Sequence, residues 1–413
     1  MAGNHSTPHA RSTAVKRTSW FGVLLGLGLG TLAAFHLFKL PPVLPILLEL
    51  YDYSMFAAGG FMSIYAVIGL LASAFLGIQL QRHGMPRFLI SAAVMLIAGS
   101  TITLSTPEMI PAMFVARALE GLGFAIIAVC APVLAIASAQ DRHKTIAIAL
   151  FAAWIPAGQL IAMGVAQPFV EQTEWRPVWW IGIGFTLIII ALGWLAAGRH
   201  VPRRTASNAS RQLPLKNFPR SDRLALILVA TTFMLWSTEI FAMLTWLPIC
   251  LIEARGFAAN TTILVYAVPS VLIFFCCIAS GFVLRAGIPL PILLAGTLAL
   301  QGAVWLALPI LYSVETGLAG LIVFGAAAGL SATCLFAAPA LIFGGANAGG
   351  SAFGVVMTGR NLGVLVGPIL LPPVLIATNG WQGVGPVFGA ISLAAAGTAL
   401  ALGGILKRRS ADS

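Results

Sequence analysis

Apolar stretches, each about as long as a membrane-spanning helix, follow one another from Trp20 to Leu406 with only short polar breaks. A helix needs roughly 20 apolar residues to cross the hydrocarbon core, and inside that core the backbone must satisfy its own hydrogen bonds. The runs lie at Trp20–Leu48, Met55–Leu80, Phe88–Leu104, Met109–Ala137, Ile146–Val170, Val178–Ala197, Leu224–Ile252, Thr261–Leu284, Leu290–Leu311, Leu318–Phe343, Ser351–Ile376 and Val384–Leu406. They predict an all-α membrane protein of twelve transmembrane helices. Charge agrees: 8% of the residues are charged and 59% hydrophobic, against about 25% charged in a soluble domain. Prolines inside several runs fit membrane helices, whose neighbours satisfy the freed carbonyls.

The net charge of +11 is spread through short breaks between apolar runs and forms no basic face, so nucleic acid is not an expected partner. The five cysteines lie in or beside apolar runs without a CxxC or Cys/His cluster, which points to buried thiols and away from disulfides or zinc. A basic start with Arg11, Lys16 and Arg17 precedes the first run, which is too long for a signal peptide and contains His36 and Lys39. It reads as a retained first span. With the N-terminus cytoplasmic, inside segments hold eighteen Lys and Arg residues and outside loops hold two, Arg176 and Arg255. That asymmetry predicts a multi-pass protein of the cytoplasmic (inner) membrane with both termini inside.

The predicted organisation is a cytoplasmic tail at 1–19, a six-helix half at 20–197, a basic cytoplasmic linker at 198–223, a second six-helix half at 224–406, and a tail at 407–413. The halves repeat. Leu44-Pro45-Ile46-Leu47-Leu48 returns as Leu247-Pro248-Ile249-Cys250-Leu251, and Arg82-His83-Gly84-Met85-Pro86 as Arg285-Ala286-Gly287-Ile288-Pro289, both shifted by 203 residues. Pro132 matches Pro339, and Trp175 matches Trp381, at nearly the same spacing. Parallel repeats of this kind are a transporter architecture, with solute bound near the midplane between them.

Three motifs carry a resemblance to the major facilitator superfamily over essentially the full chain. The loop after the second span reads Gly77-Ile-Gln-Leu-Gln81-Arg82-His-Gly84-Met-Pro-Arg87, similar to the family's loop signature, with Gln81 where that pattern has an acid. Its second-half echo contains Arg285 and Gly287. Span four carries Arg117-Ala-Leu-Glu120-Gly121-Leu-Gly123, and span eleven Gly359-Arg-Asn361-Leu-Gly363-Val-Leu-Val-Gly367-Pro368. Within the superfamily, the stretch from Arg117 to Trp175-Arg176, and span eleven, resemble the cyanate/nitroimidazole permease group. The resemblance implies a secondary transporter working by alternating access, with the loop residues Gly77, Arg82, Gly84, Arg87, Arg285 and Gly287 in gating.

An ionisable residue inside a span is costly and marks a candidate site. Six qualify: His36, Lys39, Arg117, Glu120, Glu239 and Arg360. His36 and Glu239 are themselves 203 residues apart, so they occupy matching positions in spans one and seven, which in this family resemble each other across the central cavity. Histidine titrates near neutrality, so the pair is either a proton or substrate site or a fixed contact between halves. Lys39 shares a helical face with His36 or snorkels to the headgroups. Arg117 and Glu120 bind substrate or neutralise each other. Arg360 binds an anion, or pairs with Glu239 or Glu120 as a gate between halves. Three fixed positives against two negatives favour a small anion as solute, moved with a proton as a symporter by a monomer. The competing readings are a proton-driven exporter, with Glu120 and Glu239 facing a cationic drug and Trp154, Trp236 and Trp246 stacking on it, and a non-transporting sensor on the same fold. The Ala157-Gly158 step in span five lacks the exporters' Gly-Pro pairing. No P-loop, GxSxG, HExxH or metal cluster is present, so neither enzyme activity nor a cofactor or metal is expected.

Overall fold

The computed structural model describes residues 18–83, 85–140, 142–143, 147, 150–151, 153–200, 219–308, 314–343 and 350–411. The described residues form helices joined by short turns, with no strand among them. In chain order the helices are α1 (Trp20–Phe38), α2 (Leu44–Tyr51), α3 (Met55–His83), α4 (Met85–Ser105), α5 (Ile110–Ala137), α6 (Trp154–Val170) and α7 (Arg176–His200). After the basic segment, which lies mostly outside the described residues, come α8 (Arg220–Glu253), α9 (Ala259–Arg285), α10 (Leu290–Ala307), α11 (Val314–Phe343), α12 (Gly350–Ala377) and α13 (Trp381–Ala411). Among the described residues ten helices are long and apolar enough to cross a membrane, with α1 and α2 joined as one, and α3 contributes a shorter apolar stretch, Met55–Leu71. The last helix runs past Leu406 through the basic residues Lys407–Arg409.

The first span is not one helix. Pro41 and Pro42 cannot donate to the carbonyls of Leu37 and Phe38, so α1 stops at Phe38. A 3₁₀ turn over Pro41–Val43 then leads into α2. Pro248 sits inside α8, and Pro368, Pro372 and Pro373 inside α12, each removing a backbone donor from the helix interior. Side chains from other helices fill these gaps. Tyr266 donates its hydroxyl to the Leu244 carbonyl at 2.5 Å, the group that Pro248 leaves open. Trp246 Nε1 donates to the Pro368 carbonyl at 2.9 Å, the group that Pro372 leaves open.

The inside-out polarity of a membrane protein is plain. Leu71, Phe282, Leu264 and Ile376 are exposed, while His36, Lys39, Arg117, Glu120, Gln159, Glu239 and Gln301 are buried. Packing repeats with the sequence. In the first half α1 packs on α5, α6 and α7, α3 on α5, and α4 on α5 and α7; in the second, α8 packs on α11, α12 and α13, α9 on α11, and α10 on α11 and α13. The match extends to atoms. Gly158 of α6 abuts Thr31 O, Ala34 Cβ and Phe35 N of α1, and Gly363 of α12 abuts Met234 O, Ser237 Cβ and Thr238 N of α8. The three contacted residues are each shifted by 203 residues, and the glycines themselves by 205. A side chain at either glycine would meet backbone, which is why small residues stand there.

The halves meet where α3 packs on α12 and α6 on α9, and where α8 touches α2 and the 3₁₀ turn. Phe38 and Phe241 stack across this seam, ring centroids 5.9 Å apart. Gln159 Nε2 donates to Tyr266 Oη at 3.4 Å, also across it.

Candidate functional site

The interrupted first span organises a closed polar cluster in the first half. His36, Lys39, Arg117 and Glu120 are all fully buried. Arg117 spends all five N–H groups inside the protein. Its Nε donates to Phe61 O at 3.1 Å. Its Nη1 donates to His36 O at 3.0 Å and to Glu120 Oε2 at 2.7 Å. Its Nη2 donates to Leu37 O at 3.1 Å, with Met62 Sδ at 3.7 Å as a weak fifth acceptor. Leu37 O is the carbonyl that Pro41 deprives of its helical donor, so Arg117 completes the broken helix. Its guanidinium also lies over the Tyr65 ring, 4.4 Å from the centroid.

Glu120 is equally committed. Oε1 accepts from Lys39 Nζ and from Ser100 Oγ, both at 2.7 Å. Oε2 accepts from Arg117, and from the Tyr65 hydroxyl at 3.1 Å. Four donors occupy the carboxylate's four lone-pair directions. Lys39 has three donors and three acceptors: Glu120 Oε1, Ser100 Oγ at 2.9 Å and His36 Nδ1 at 3.1 Å. The Trp179 ring stands 4.7 Å from Nζ. Because His36 Nδ1 accepts from Lys39, the ring is read as the neutral tautomer bearing its hydrogen on Nε2. Nε2 donates to Thr186 Oγ1 at 2.8 Å, and Thr186 donates onward to Gly182 O at 2.8 Å. Lys39 therefore shares His36's face and does not snorkel. The charged groups of the cluster, Lys39, Arg117 and Glu120, are fully engaged with one another and with protein acceptors and donors.

The second half repeats the place but not the chemistry. Glu239 Oε2 accepts from Ser392 Oγ at 2.7 Å and from Trp305 Nε1 at 3.0 Å. Ser392 corresponds to Thr186, 206 residues earlier. The residues at 36 and 239 thus each turn into their own half, toward a hydroxyl on α7 or α13; they do not face each other across a cavity as the repeat alone suggests. Glu239 Oε1 accepts no hydrogen bond among the described residues, and no Lys, Arg or His lies within ion-pair distance there.

Arg360 is half-buried on α12. Its Nη1 donates to Asn361 Oδ1 at 3.1 Å, and its guanidinium lies 5.8 Å from the Phe241 centroid, beside the Phe38–Phe241 pair. Asn361 in turn faces Gly69 of α3. Among the described residues Arg360 pairs with neither Glu239 nor Glu120. A cation in this setting, at the seam between halves and beside aromatic faces, can meet an anion or an acid that arrives in another conformation.

Of the loop motif, Gly84 lies outside the described residues, as does the side chain of Arg82; Gly77 lies within α3. Arg87 is exposed in the first turn of α4, and Arg285 is exposed at the end of α9. Gly287 holds φ +86° in the following turn, a conformation that favours glycine. The residues not singled out from the sequence are Tyr65, Ser100 and Thr186 in the first half, and Trp305 and Ser392 in the second. Thr186 and Ser392 carry a signal, since the repeat pairs two hydroxyls. Tyr65 and Ser100 carry none beyond being polar in an apolar run.

Paired halves of long apolar helices with charged groups buried among them define a multi-pass helical membrane protein. A family model, Major Facilitator Superfamily, matches residues 24–368, from α1 into α12 and across all six candidate residues. The chain belongs to that superfamily, whose members are secondary transporters, and it is a multi-pass membrane protein moving a small solute. No curated relative matches the chain.

Proposed function

We propose that this transporter is a proton-coupled symporter for a small anion, with Arg360 meeting the anion and Glu239 carrying the proton. The reading rests on one observation: the cations of the first half are consumed by Glu120 and by backbone carbonyls, whereas Arg360 stands at the seam between halves without an acidic partner among the described residues. Glu239 is the complementary group, a buried carboxylate with one oxygen that accepts no hydrogen bond among the described residues. Glu239 lies on α8, and Phe241, two residues on in the same helix, stands beneath the Arg360 guanidinium of α12. Trp236 and Trp246, which an exporter would present to a cationic drug, donate instead to Gln301 Oε1 and Pro368 O.

In this reading twelve spans cross the cytoplasmic membrane, with both termini inside as the eighteen-to-two distribution of Lys and Arg supports. The halves rock about the seam, where Phe38 meets Phe241 and Gln159 meets Tyr266. The resemblance to the cyanate/nitroimidazole permease group points to a solute of few atoms. A thermal-shift panel of cyanate, nitrite, formate and acetate against cationic dyes, on wild type and Arg360→Gln, tests it. An anion at 100 times its Kd adds about 2.7 kcal/mol to the folded state, and Arg360→Gln should lose that gain. Stabilisation by the dyes alone, or by an anion equally in Arg360→Gln, would overturn the reading.

A further inference from the structure

The two halves set a hydroxyl against the ionisable group at each of the matching positions. His36 of α1 meets Thr186 of α7, and Glu239 of α8 meets Ser392 of α13. A hydroxyl has one hydrogen to give and two lone pairs with which to accept. The first half shows it accepting: Thr186 Oγ1 takes the hydrogen of His36 Nε2 at 2.8 Å and gives its own to Gly182 O at 2.8 Å. The second half shows it donating: Ser392 Oγ gives its hydrogen to Glu239 Oε2 at 2.7 Å. A second acceptor for that same hydrogen, Leu298 O of α10, lies 3.2 Å away.

Close packing of α10 on α13 brings that carbonyl within reach. A carbon added at Gly302 would lie 3.2 Å from Leu393, and one added at Gly389 would lie 2.7 Å from Leu306. The other partner of Glu239 has no such choice. The Trp305 indole is a donor only, and it is held in place, stacked on Phe388 with centroids 5.0 Å apart and edge-on to Phe324 at 6.1 Å. Among the described residues no Lys, Arg or His comes within ion-pair distance of Glu239, and Arg360 of α12 stands over Phe241, two residues along α8.

We propose that Ser392 is the positioning residue for the proton at Glu239, donating to the carboxylate and accepting from the acid. When a proton joins Oε2, the bond from Ser392 Oγ–H to Oε2 is replaced by one from Oε2–H to Ser392 Oγ. The serine's own hydrogen turns to Leu298 O, the arrangement that Thr186 already holds with Gly182 O. Both protonation states then keep every hydrogen of the pair matched, and loading requires rotation of a hydroxyl and no movement of the backbone. The inference rests on Glu239 as the proton carrier, the role proposed above.

Infrared difference spectroscopy of the full chain in liposomes, taken between high and low pH without solute, reads the carbonyl stretch of protonated Glu239. Glu239→Gln identifies the band by removing it. In Ser392→Ala the band should move to higher wavenumber, where an acid that donates to nothing absorbs. Ser392→Thr, carrying the hydroxyl used in the first half, should return it to the wild-type position. Ser392→Cys, whose S–H is a weak donor and acceptor, should also raise the band and serves if Ser392→Ala lowers the melting temperature. A Glu239 band at one position in wild type, Ser392→Ala and Ser392→Cys would overturn the role of Ser392 and leave Glu239 standing as the proton carrier. Absence of any Glu239-dependent band would overturn both.

Discussion

At the residue scale, the first-half cluster is a saturated structure, and its members stand together. Arg117 joins Glu120 to two carbonyls of α1 and one of α3, so removing the carboxylate strands two buried cations. Breaking a buried pair on one side costs about 3–5 kcal/mol. Glu120→Gln should therefore unfold at markedly lower temperature in detergent, while Lys39→Met combined with Glu120→Gln should recover part of the loss; a double variant no better than the single would show that the two do not act as a pair. Glu239→Gln, in contrast, keeps two hydrogen bonds with an isosteric group and should leave the melting temperature near wild type. Uptake driven by a proton gradient should be lost in it while solute exchange persists. Equal loss of both would make Glu239 a substrate or structural residue.

Sequence could single out Lys39, Arg117 and Glu120 because charge in an apolar run is conspicuous. What it could not supply was their purpose. That depended on Pro41 opening the Leu37 carbonyl in one helix and an arginine eighty residues later reaching it. The same limit applies to Arg360: its type is legible, but its place beside the Phe38–Phe241 stack exists only once the halves are docked.

At the element scale, proline breaks are matched to side-chain donors. Replacing Tyr266 by Phe leaves the Leu244 carbonyl buried without its donor, a cost of about 1–3 kcal/mol. In a Pro248→Ala background the helix regains a backbone N–H for that carbonyl, so Tyr266→Phe should cost less there. Additive effects in this double-mutant cycle would disprove the compensation. Close helix contact gives a second test. Gly158 and Gly363 hold equivalent places against α1 and α8, and overpacking costs about 1–3 kcal/mol or more. Gly158→Val and Gly363→Val should destabilise to similar degrees in thermal unfolding, whereas Gly164→Ala, whose added carbon meets nothing within 4 Å, should not. Helix positions were readable from hydropathy within a few residues at most ends. The break of the first span at Pro41-Pro42 is not legible in hydropathy, because prolines are tolerated in membrane helices and the apolar run continues through them.

At the scale of the whole molecule, the 203-residue offset organises sequence and packing alike, down to which atom each glycine touches. The halves are alike in backbone and unlike in charge. The first is tied by a buried cluster; the second holds a carboxylate with one oxygen that accepts no hydrogen bond among the described residues, and an arginine at the seam. In the proposed reading, that asymmetry makes the first half the rigid partner and the second the responsive one. The direct measurement is counterflow of labelled anions from the cyanate, nitrite, formate and acetate panel in proteoliposomes, comparing wild type with Arg360→Gln at matched thermal stability. The account predicts counterflow for at least one anion in wild type and its loss in Arg360→Gln; counterflow undiminished in Arg360→Gln would contradict it.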